Sequence, residues 1–517
     1  MRRGPHTLAL AIVVSLGGFL FGFDASVISG VIRFVQPQFD LNEFQLGWVV
    51  SSPSASAMVA MLLAGSASGW LGRKRLLEVV AVLYIVSALM SALATGYAML
   101  VVARMIGGAA FGAALILAPM YIAEIAPAAQ RGRMVSIQQL NIVLGFSAAY
   151  FSNYLFLEAA PHTSWLNERI IWRWMLGIEA LPATAYFLLL FLIPRSPRWL
   201  YARGRHDEAR SVLERLHGAD RAREELVELG RKLASEPRGT RVIYRDLLGP
   251  AVRGVFLIGL LLGILQQITG VNAIYFYATL IFEQSGIGAN ASFAQAVWVG
   301  VINVVFTGIA MLLIDRVGRR PLMLAGLTGV VLSMGITAYG FSGATFMLTA
   351  PEIESSVLWE ENPAGGSRLL ALAGTVFTND VAFAASARDA IGDGLFRKHQ
   401  AELVERAISM NPYVVLAGIL FFVASFAMSL GPVTWVMLSE LFPNRLRAVA
   451  ISVVGFCNSL VSWFVQFLFP WELSVLGSAG TYLIYGFFAL VGLIIVYRVL
   501  PETKGQTLEQ IERRFMA

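Results

Sequence analysis

The sequence has little charge and almost no cysteine. Only 14% of its 517 residues are charged, against about a quarter in ordinary globular proteins, and 57% are hydrophobic. The single cysteine, Cys457, excludes an intramolecular disulfide and a cysteine-rich metal site, and the five histidines form no cluster of ligands along the chain. These absences argue against nucleic-acid binding and against a soluble metabolic enzyme, and we expect no cofactor and no metal.

Long apolar stretches take the place of the missing charge. Twelve stretches are long enough to cross about 30 Å of hydrocarbon as helices, at about 1.5 Å per residue. They are residues 7–31, 44–71, 76–95, 98–125, 133–157, 172–194, 250–284, 289–314, 321–342, 411–441, 448–471 and 477–500. The sequence therefore predicts an all-α polytopic membrane protein with twelve transmembrane helices, which we number spans 1 to 12.

Basic residues mark one face of the membrane. They occur at the amino terminus and in alternate connections, after spans 2, 4, 8 and 10. Because cytoplasmic loops carry the excess of Lys and Arg, both termini are predicted to be cytoplasmic. The long connection after span 6 lies on the same face, and its string HDEARSVLERLHG has the amphipathic pattern of a surface helix. We call the opposite face, predicted to be extracytoplasmic, the distal face.

Two motifs occur twice and indicate an internal repeat. The pairs Gly72-Arg73 and Gly318-Arg319 follow spans 2 and 8, and the strings that begin at Glu124 and Glu440 follow spans 4 and 10. The two strings are about 70 residues further apart in sequence than the two pairs, which predicts an insertion between spans 8 and 10. Two parallel six-helix repeats place a cavity at their interface near the middle of the membrane, and this is the architecture of a transporter.

The predicted domains follow from the repeat. They are an N-terminal six-helix bundle at 1–194, a cytoplasmic helical linker domain at 195–249, a C-terminal six-helix bundle at 250–500 and a cytoplasmic tail at 501–517. The insertion, at about 342–410, is acidic and contains apolar pieces such as SRLLALAGTVF, which predict helices packed at the distal mouth. A lid, a binding site for a partner and a tolerated insertion remain open for it.

Eight short strings at the ends of the spans carry a resemblance to a known family. They are GGFLFGFDASVISG (17–30), ARMIGG (103–108), PMYIAEIAPAAQRGR (119–133), PRSPRWL (194–200), QQITGVN (266–272), DRVGRR (315–320), GPVTWVMLSELFP (431–443) and PETKG (501–505). In this order they resemble the sugar porter family of the major facilitator superfamily, which includes bacterial proton-coupled pentose and hexose symporters and animal facilitative glucose transporters. The resemblance implies the major facilitator fold and sugar transport.

Two positions depart from the family pattern on the cytoplasmic side. Gly69 and Arg195 stand where the family usually has acids, and those acids take part in salt bridges that hold the inner gate shut. The resemblance implies that other residues form the remaining gate salt bridges, namely Arg73, Glu124, Arg131, Asp315, Arg319, Glu440 and Arg447. The alternative role of these arginines is to set the topology of the chain.

A sugar site is predicted around span 7. Sugar hydroxyls both donate and accept hydrogen bonds, as side-chain amides do, and an aromatic face suits their C–H surface. Span 7 supplies Gln266, Gln267 and Asn272 around Gly270, which weakens the helix locally. The resemblance adds the sugar-binding positions Gln139, Asn303, Trp435 and Asn458, and the outer-gate position Tyr277. The alternative is that these amides only hold helices together and that Trp435 is a packing aromatic.

Three ionisable residues are predicted to lie at one depth in the membrane. Asp24, Arg104 and Glu179 are each about 10 Å from the distal ends of spans 1, 4 and 6, so we expect them to meet inside the bundle. In the family, proton symporters have an aspartate at the Asp24 position and facilitators commonly have asparagine, which favours proton coupling. A static Asp24–Arg104 bridge is the alternative, and Glu179 either tunes the pair or holds span 6 in place.

Together these patterns predict a proton-coupled symporter of a monosaccharide, a hexose or a pentose, working by alternating access. Its partners would be the sugar, a proton and the lipid bilayer of the cell membrane, and we expect a monomer. An uncoupled facilitator and a membrane sugar sensor are the alternatives. A membrane enzyme is disfavoured because the polar intramembrane positions are amides and one acid–arginine cluster, without an activated nucleophile.

Overall fold

The computed structural model describes residues 4–127, 131–235, 244–249, 252–442, 446–502 and 504, and nearly all of them are helical. The chain divides into two compact units. Unit 1 contains Met1–Ala25, Ser52–Ala149 and Leu176–Val242, and unit 2 contains Ser26–Ser51, Tyr150–Met175 and Ile243–Ala517. Unit 2 therefore holds the distal ends of spans 1, 2, 5 and 6 together with the second half of the chain.

The first half of the chain forms ten α-helices within the described residues. They are α1 (Gly4–Gln38), α2 (Glu43–Leu71), α3 (Arg73–Ala92), α4 (Tyr97–Ile125), α5 (Arg131–Ala159), α6 (Ile171–Gly177), α7 (Ala180–Leu190), α8 (Pro197–Ala202), α9 (His206–His217) and α10 (Ala219–Ser235). The last three occupy the connection for which the sequence predicts surface helices. Ser196 begins α8 because its hydroxyl accepts a hydrogen bond from the backbone amide of Trp199.

The second half contains thirteen α-helices and two short strands within the described residues. They are α11 (Arg253–Ile268), α12 (Val271–Phe276), α13 (Ala278–Glu283), α14 (Ala289–Val317), α15 (Arg319–Ser342), β1 (Thr345–Phe346), α16 (Ala350–Glu354), α17 (Val357–Glu361), α18 (Pro363–Leu369), α19 (Asp380–Ile391), α20 (Asp393–Ala407), β2 (Ile408–Ser409), α21 (Pro412–Met428), α22 (Leu430–Leu441) and α23 (Arg447–Val499). The elements from β1 to β2 make up the predicted insertion.

Ten helical segments of the described chain are long and apolar enough to cross a membrane. This number is lower than twelve for two reasons. Span 6 is divided between α6 and α7, which are each too short to count, and spans 11 and 12 form the single element α23. Within α23, Gly477 has a φ of 70°, which lies outside the helical region and separates the two spans. Within the described residues, each of the twelve predicted spans thus lies mainly on helix.

Span 7 is interrupted twice. Gly270, between α11 and α12, has a φ of 86°, a left-handed conformation that glycine adopts without a steric penalty. Tyr277, between α12 and α13, has a φ of −120°. The helix is therefore broken beside the predicted amides, as Gly270 in the sequence suggests.

Two glycines allow α1 and α5 to touch in unit 1. A Cβ atom added at Gly22 would lie 2.0 Å from the carbonyl oxygen of Ile142, and one added at Gly145 would lie 2.0 Å from that of Phe19. The two contacts are reciprocal, so the backbones of the two helices pack directly against each other. Small residues at helix interfaces are typical of membrane proteins, since lipid provides no hydrophobic drive for association.

Candidate functional site

The acid–arginine cluster lies in unit 1. Nη1 of Arg104 on α4 donates to Oδ1 of Asp24 on α1 at 2.6 Å and to the Asp24 carbonyl oxygen at 3.1 Å. Both side chains are almost fully buried, with 1% and 3% of their surfaces exposed. The carboxyl group of Glu179, between α6 and α7, adjoins that of Asp24. The structure therefore brings together the three residues that the sequence places at one depth.

The cluster contains two acids and one cation. If both carboxyls were ionised, the buried group would carry a net negative charge, which is costly away from water. Nε and Nη2 of Arg104 also meet no hydrogen-bond acceptor among the described residues. A proton bound to one carboxyl would leave a neutral cluster, so the arrangement suits a group that takes up and releases a proton.

Close packing holds the cluster against α3. A Cβ atom added at Gly107 would lie 2.5 Å from Oγ of Ser87 and 3.5 Å from Oδ1 of Asp24, so a larger residue there would collide with Ser87 next to the Asp24–Arg104 pair. The hydroxyl of Tyr84 donates to the carbonyl oxygen of Gly17 at 3.1 Å in the same buried region. The position of Asp24 thus depends on tight contacts among spans 1, 3 and 4.

The predicted amides form a hydrogen-bonded network in unit 2. Nδ2 of Asn272 donates to Oε1 of Gln267 at 2.7 Å, and Nε2 of Gln267 donates to Oδ1 of Asn458 at 3.1 Å. Nδ2 of Asn458 in turn donates to Oε1 of Gln266 at 2.9 Å. Four of the seven predicted sugar-binding residues are therefore linked, from both sides of the Gly270 break to span 11.

Gln266 differs from its neighbour in what it contacts. Its Nε2 donates to the carbonyl oxygens of Leu430 at 2.9 Å and Gly431 at 3.1 Å, where span 10 is broken between α21 and α22. Its side chain is buried, whereas those of Gln267 and Asn272 are partly exposed. Gln266 thus joins spans 7 and 10, and the other two amides are more accessible to a ligand.

The remaining predicted sugar positions lie on other helices. Asn303 is buried on α14, and Trp435 on α22 leaves 43% of its surface exposed. Gln139 lies on α5 in unit 1 and is partly buried. Tyr277, the predicted gate residue, is fully buried and donates from its hydroxyl to the carbonyl oxygen of Gln466 at 2.9 Å.

Two polar residues of span 11 were not predicted. Oγ of Ser462 accepts hydrogen bonds from Nδ2 of Asn272 at 2.5 Å and from Nε2 of Gln466 at 2.9 Å. Asn458, Ser462 and Gln466 are each four residues apart, so they lie on one face of the helix. In the sequence, this four-residue spacing of polar residues within an apolar stretch is the pattern that could have predicted Ser462 and Gln466.

The gate motifs form equivalent ion pairs in the two repeats. In unit 1, Nη2 of Arg73 lies 2.8 Å from Oε1 of Glu124, and in unit 2, Nη2 of Arg319 lies 2.8 Å from Oε1 of Glu440. Each arginine follows a glycine with a positive φ, Gly72 at 85° and Gly318 at 107°. The repeat seen in the sequence is therefore a repeat of local structure.

The other predicted gate residues have different contacts. Asp315 lies 3.2 Å from Arg319, while Nε and Nη2 of Arg447 donate to the carbonyl oxygen of Phe442 at 3.1 and 3.0 Å. Arg131 begins α5, and its side chain is outside the described part of the structure. Where the family acid is replaced by Gly69, Trp199 and Arg203 donate to the Gly69 carbonyl oxygen at 3.0 and 3.1 Å.

Comparisons with known proteins place the chain in a family. It matches the family model described as "Sugar (and other) transporter" over residues 10–360 and 366–515. It is 33% identical to the arabinose-proton symporter of Bacillus subtilis (strain 168), over 98% of this chain and 96% of that protein. It is 31% identical to the D-xylose-proton symporter of Escherichia coli (strain K12), over 99% of this chain and 96% of that protein.

Solved structures show the same fold. The inward open conformation of the xylose transporter XylE from E. coli has a TM-score of 0.75 with 29% identity, covering 98% of this chain and 99% of that one. Its partially occluded inward open conformation has a TM-score of 0.74 with 29% identity, covering 98% of this chain and all of that one. The predicted fold class, a multi-pass α-helical membrane protein with the major facilitator fold, is confirmed, and its relatives are transporters, not enzymes. The chain belongs to the sugar transporter family.

Proposed function

We propose that this chain carries a monosaccharide and a proton together across the cell membrane by alternating access. The observation that carries the proposal is the buried contact of Asp24 with Arg104, with Glu179 beside it. Ionisable groups at such depth are expensive, and those that persist commonly mark ion pathways. Relatives named as arabinose-proton and D-xylose-proton symporters support a pentose as a substrate and a proton as the coupling ion.

We further propose that the amide network binds the sugar. The partly exposed amides of Gln267 and Asn272 can exchange their mutual hydrogen bonds for bonds to sugar hydroxyls, and Asn458 links them to span 11. Trp435 would supply the aromatic face and Asn303 a further amide in unit 2, and the family resemblance adds Gln139. A desolvated site rejects sugars whose hydroxyls do not match, because unpaired amide groups would remain buried.

Proton binding and sugar binding would be coupled through the conformational cycle. A ligand shifts a conformational equilibrium only by its different affinity for the two states. Protonation of Asp24 weakens its attraction to Arg104 and so removes an interaction between spans 1 and 4. The conformational change of the loaded carrier would then be favoured by both ligands, whereas the carrier loaded with the proton alone would return slowly.

The proposal also includes the orientation of the protein in the membrane and its oligomeric state. The basic residues that follow spans 2, 4, 8 and 10 support cytoplasmic termini and a distal face outside the cytoplasm. The six-helix bundles at 1–194 and 250–500, with their linker domain, would be the bodies that rearrange, and we propose that a monomer is the working unit. The salt bridges of Arg73 and Arg319 would stabilise the cytoplasmic ends of the bundles.

Uptake by reconstituted protein tests the proposal. Purified protein in liposomes would be given labelled D-xylose, L-arabinose, D-glucose and myo-inositol in turn, with and without an inward proton gradient. We expect accumulation of at least one sugar above equilibrium with the gradient, and its loss when a protonophore collapses the gradient. Equal uptake with and without the gradient would instead identify an uncoupled facilitator, and absence of uptake for every sugar would contradict the substrate class.

A further inference from the structure

The insertion between spans 9 and 10 folds around its own core. Its apolar side chains form a separate buried cluster, made up of Ala344, Phe346, Leu348, Ile353, Leu358, Leu369, Phe383, Ala387, Ile391, Phe396, Leu403 and Ala407. The strands at its two ends pair antiparallel, with Thr345 opposite Ser409 and Phe346 opposite Ile408. With its own core and paired ends, the insertion is a compact body and not a loose loop.

This body is fastened to the distal ends of the second-half spans. Oδ2 of Asp380, at the start of α19, accepts hydrogen bonds from the backbone amide and the hydroxyl of Ser478, both at 2.8 Å. Ser478 follows Gly477, where span 12 begins. The side chain of Ile408 would also lie only 2.3 Å from a Cβ atom added at Gly286, after span 7. The insertion is thus held by contacts at spans 7 and 12 besides its covalent links.

Two arginines of the insertion reach the hairpin between spans 1 and 2. Nη2 of Arg388 lies 3.0 Å from Oε1 of Glu43, at the start of α2. Nε and Nη2 of Arg397 donate to the two carboxylate oxygens of Asp40 at 3.0 and 3.3 Å. The second pair is bidentate, the geometry in which a guanidinium and a carboxylate hold each other's orientation. All four residues belong to unit 2.

The distal ends of spans 1 and 5 also contact span 7 directly. Nη1 of Arg33 on span 1 lies 2.9 Å from Oε1 of Glu283 on span 7, and Oγ of Ser29 accepts from the backbone amide of Thr279 at 3.0 Å. The hydroxyl of Tyr150 on span 5 donates to the carbonyl oxygen of Tyr275. Within unit 2, spans of the first repeat are therefore in direct contact with span 7, so the distal face is closed at these positions.

We propose that the insertion is an electrostatic latch that favours the distally closed state, with Arg388 and Arg397 as its positioning residues. The inference rests on the alternating-access cycle proposed above. Opening of the distal face separates spans 1 and 2 from span 7, so the Arg388–Glu43 and Arg397–Asp40 pairs must break together with the contacts that spans 1 and 5 make with span 7. Contacts present in one state only stabilise that state. Partly exposed ion pairs shift an equilibrium by up to about five-fold each.

Cysteine accessibility tests the latch. Cys457→Ala removes the only cysteine, and Ser29→Cys then places a thiol that the closed distal contacts bury. Protein in lipid vesicles would be treated with a membrane-impermeant maleimide on the distal side. Arg388→Gln with Arg397→Gln should raise the labelling rate by roughly two- to ten-fold. Arg368→Gln removes an exposed insertion arginine that bonds only its own helix in the described contacts, and should leave the rate unchanged.

A charge-exchange variant and a change of ionic strength distinguish the electrostatic latch from nonspecific destabilisation of the distal contacts. Arg388→Glu with Glu43→Arg reverses one pair and should label more slowly than Arg388→Glu alone, with incomplete restoration because Asp393 lies 3.9 Å from Nε of Arg388. Higher ionic strength should speed labelling of the parent and have little effect on the Arg388→Gln, Arg397→Gln variant, since salt screens exposed pairs. An unchanged rate in the double variant, or no restoration by the exchange, would overturn the proposal. Labelling needs no sugar or proton gradient, so failure of proton coupling in the uptake assay would be a separate result.

Discussion

At the scale of the residue, Asp24 has the clearest functional signature. Its depth in span 1 matches those of Arg104 and Glu179 in the sequence, and the structure brings all three together with a 2.6 Å contact between Asp24 and Arg104. One cation facing two acids differs from a simple structural ion pair, because among the described residues the second carboxyl has no cation of its own. A change that preserves the shape of Asp24 but removes its ionisation therefore distinguishes the two roles.

We expect Asp24→Asn to abolish proton-driven sugar accumulation while sugar binding and gradient-free counterflow survive. The amide has the same shape and can still accept a hydrogen bond from Arg104, but it cannot alternate between charged and neutral forms. Counterflow requires only the loaded carrier to change conformation. Both assays can be made on one liposome preparation. Loss of binding and counterflow together would indicate a structural bridge, and unchanged accumulation would direct attention to Glu179.

The different contacts of the span 7 amides predict different effects of their substitution. Gln267→Ala or Asn272→Ala should weaken sugar binding by about 1–3 kcal/mol, because each removes a partner from a desolvated hydroxyl. Gln266→Ala is the matched comparison. Gln266→Ala should lower the thermal unfolding midpoint more than Gln267→Ala or Asn272→Ala, because Gln266 donates hydrogen bonds to the carbonyl oxygens of Leu430 and Gly431. Calorimetry and thermal unfolding of the three purified variants measure both quantities. Full affinity in the first two variants would make all three amides structural.

At the scale of the element, the breaks in span 7 position the amides, and Gly270 is required for one of them. A Cβ atom added there would lie 2.6 Å from Cδ2 of Tyr485, and the φ of 86° is unfavourable for any residue with a side chain. We expect Gly270→Ala to destabilise the protein by about 1–2 kcal/mol or more and to weaken sugar binding. Gly308→Ala, in the regular part of α14 with open space around it, should be neutral or stabilising. Equal thermal midpoints for the two variants would contradict this.

The linker helices are joined to span 4 by a histidine. Nδ1 of His217 lies 2.7 Å from Oε2 of Glu225 on α10, and Nε2 lies 3.0 Å from the carbonyl oxygen of Ile125 at the end of α4. Both partners accept hydrogen bonds, so only the doubly protonated ring satisfies both. The bond to Glu225 raises the pKa of His217, burial opposes this, and the Ile125 carbonyl adds to the increase while Arg221 opposes it.

The raised pKa gives a stability change of known sign. His217 binds its proton more tightly in the folded than in the unfolded chain. The protonated ring therefore stabilises the folded protein fully below the ordinary histidine pKa of about 6.5. It is lost as pH rises through the higher folded pKa. We expect the thermal midpoint of the parent to fall relative to His217→Gln as pH rises through this range. His162→Gln, at an exposed histidine, should follow the parent, and a constant difference between parent and His217→Gln would contradict the assignment.

At the scale of the whole molecule, the insertion is an addition to a complete repeat. The motif offsets place it between spans 8 and 10, and its strand ends lie side by side because Thr345 pairs with Ser409. A short flexible linker can therefore replace the residues between them without moving spans 9 and 10. We expect this deletion to retain sugar counterflow and to label faster at a cysteine in place of Ser29. A well-folded deletion without exchange would show that the insertion belongs to the transport cycle itself.

The sequence alone determined the membrane class, the twelve spans and the repeat. Lipid requires long apolar helices and strongly penalises charge, so the hydropathy pattern and the few buried ions carry unusually direct information. Depth counting predicted the meeting of Asp24 with Arg104, and glycine predicted the break at Gly270. The family motifs identified transport because their residues have to stand at defined ends of defined spans.

Only the tertiary structure decided which hydrogen-bond and ion-pair partner each polar side chain has. Gln266 and Gln267 are neighbours with the same chemistry, yet one bonds to span 10 and the other to Asn272 and Asn458. The pairing of Arg388 with Glu43 joins positions more than 300 residues apart, as the residue numbers show. Such contacts depend on the orientation of side chains across separate helices, and the local periodicity of a sequence specifies only the face on which each side chain lies.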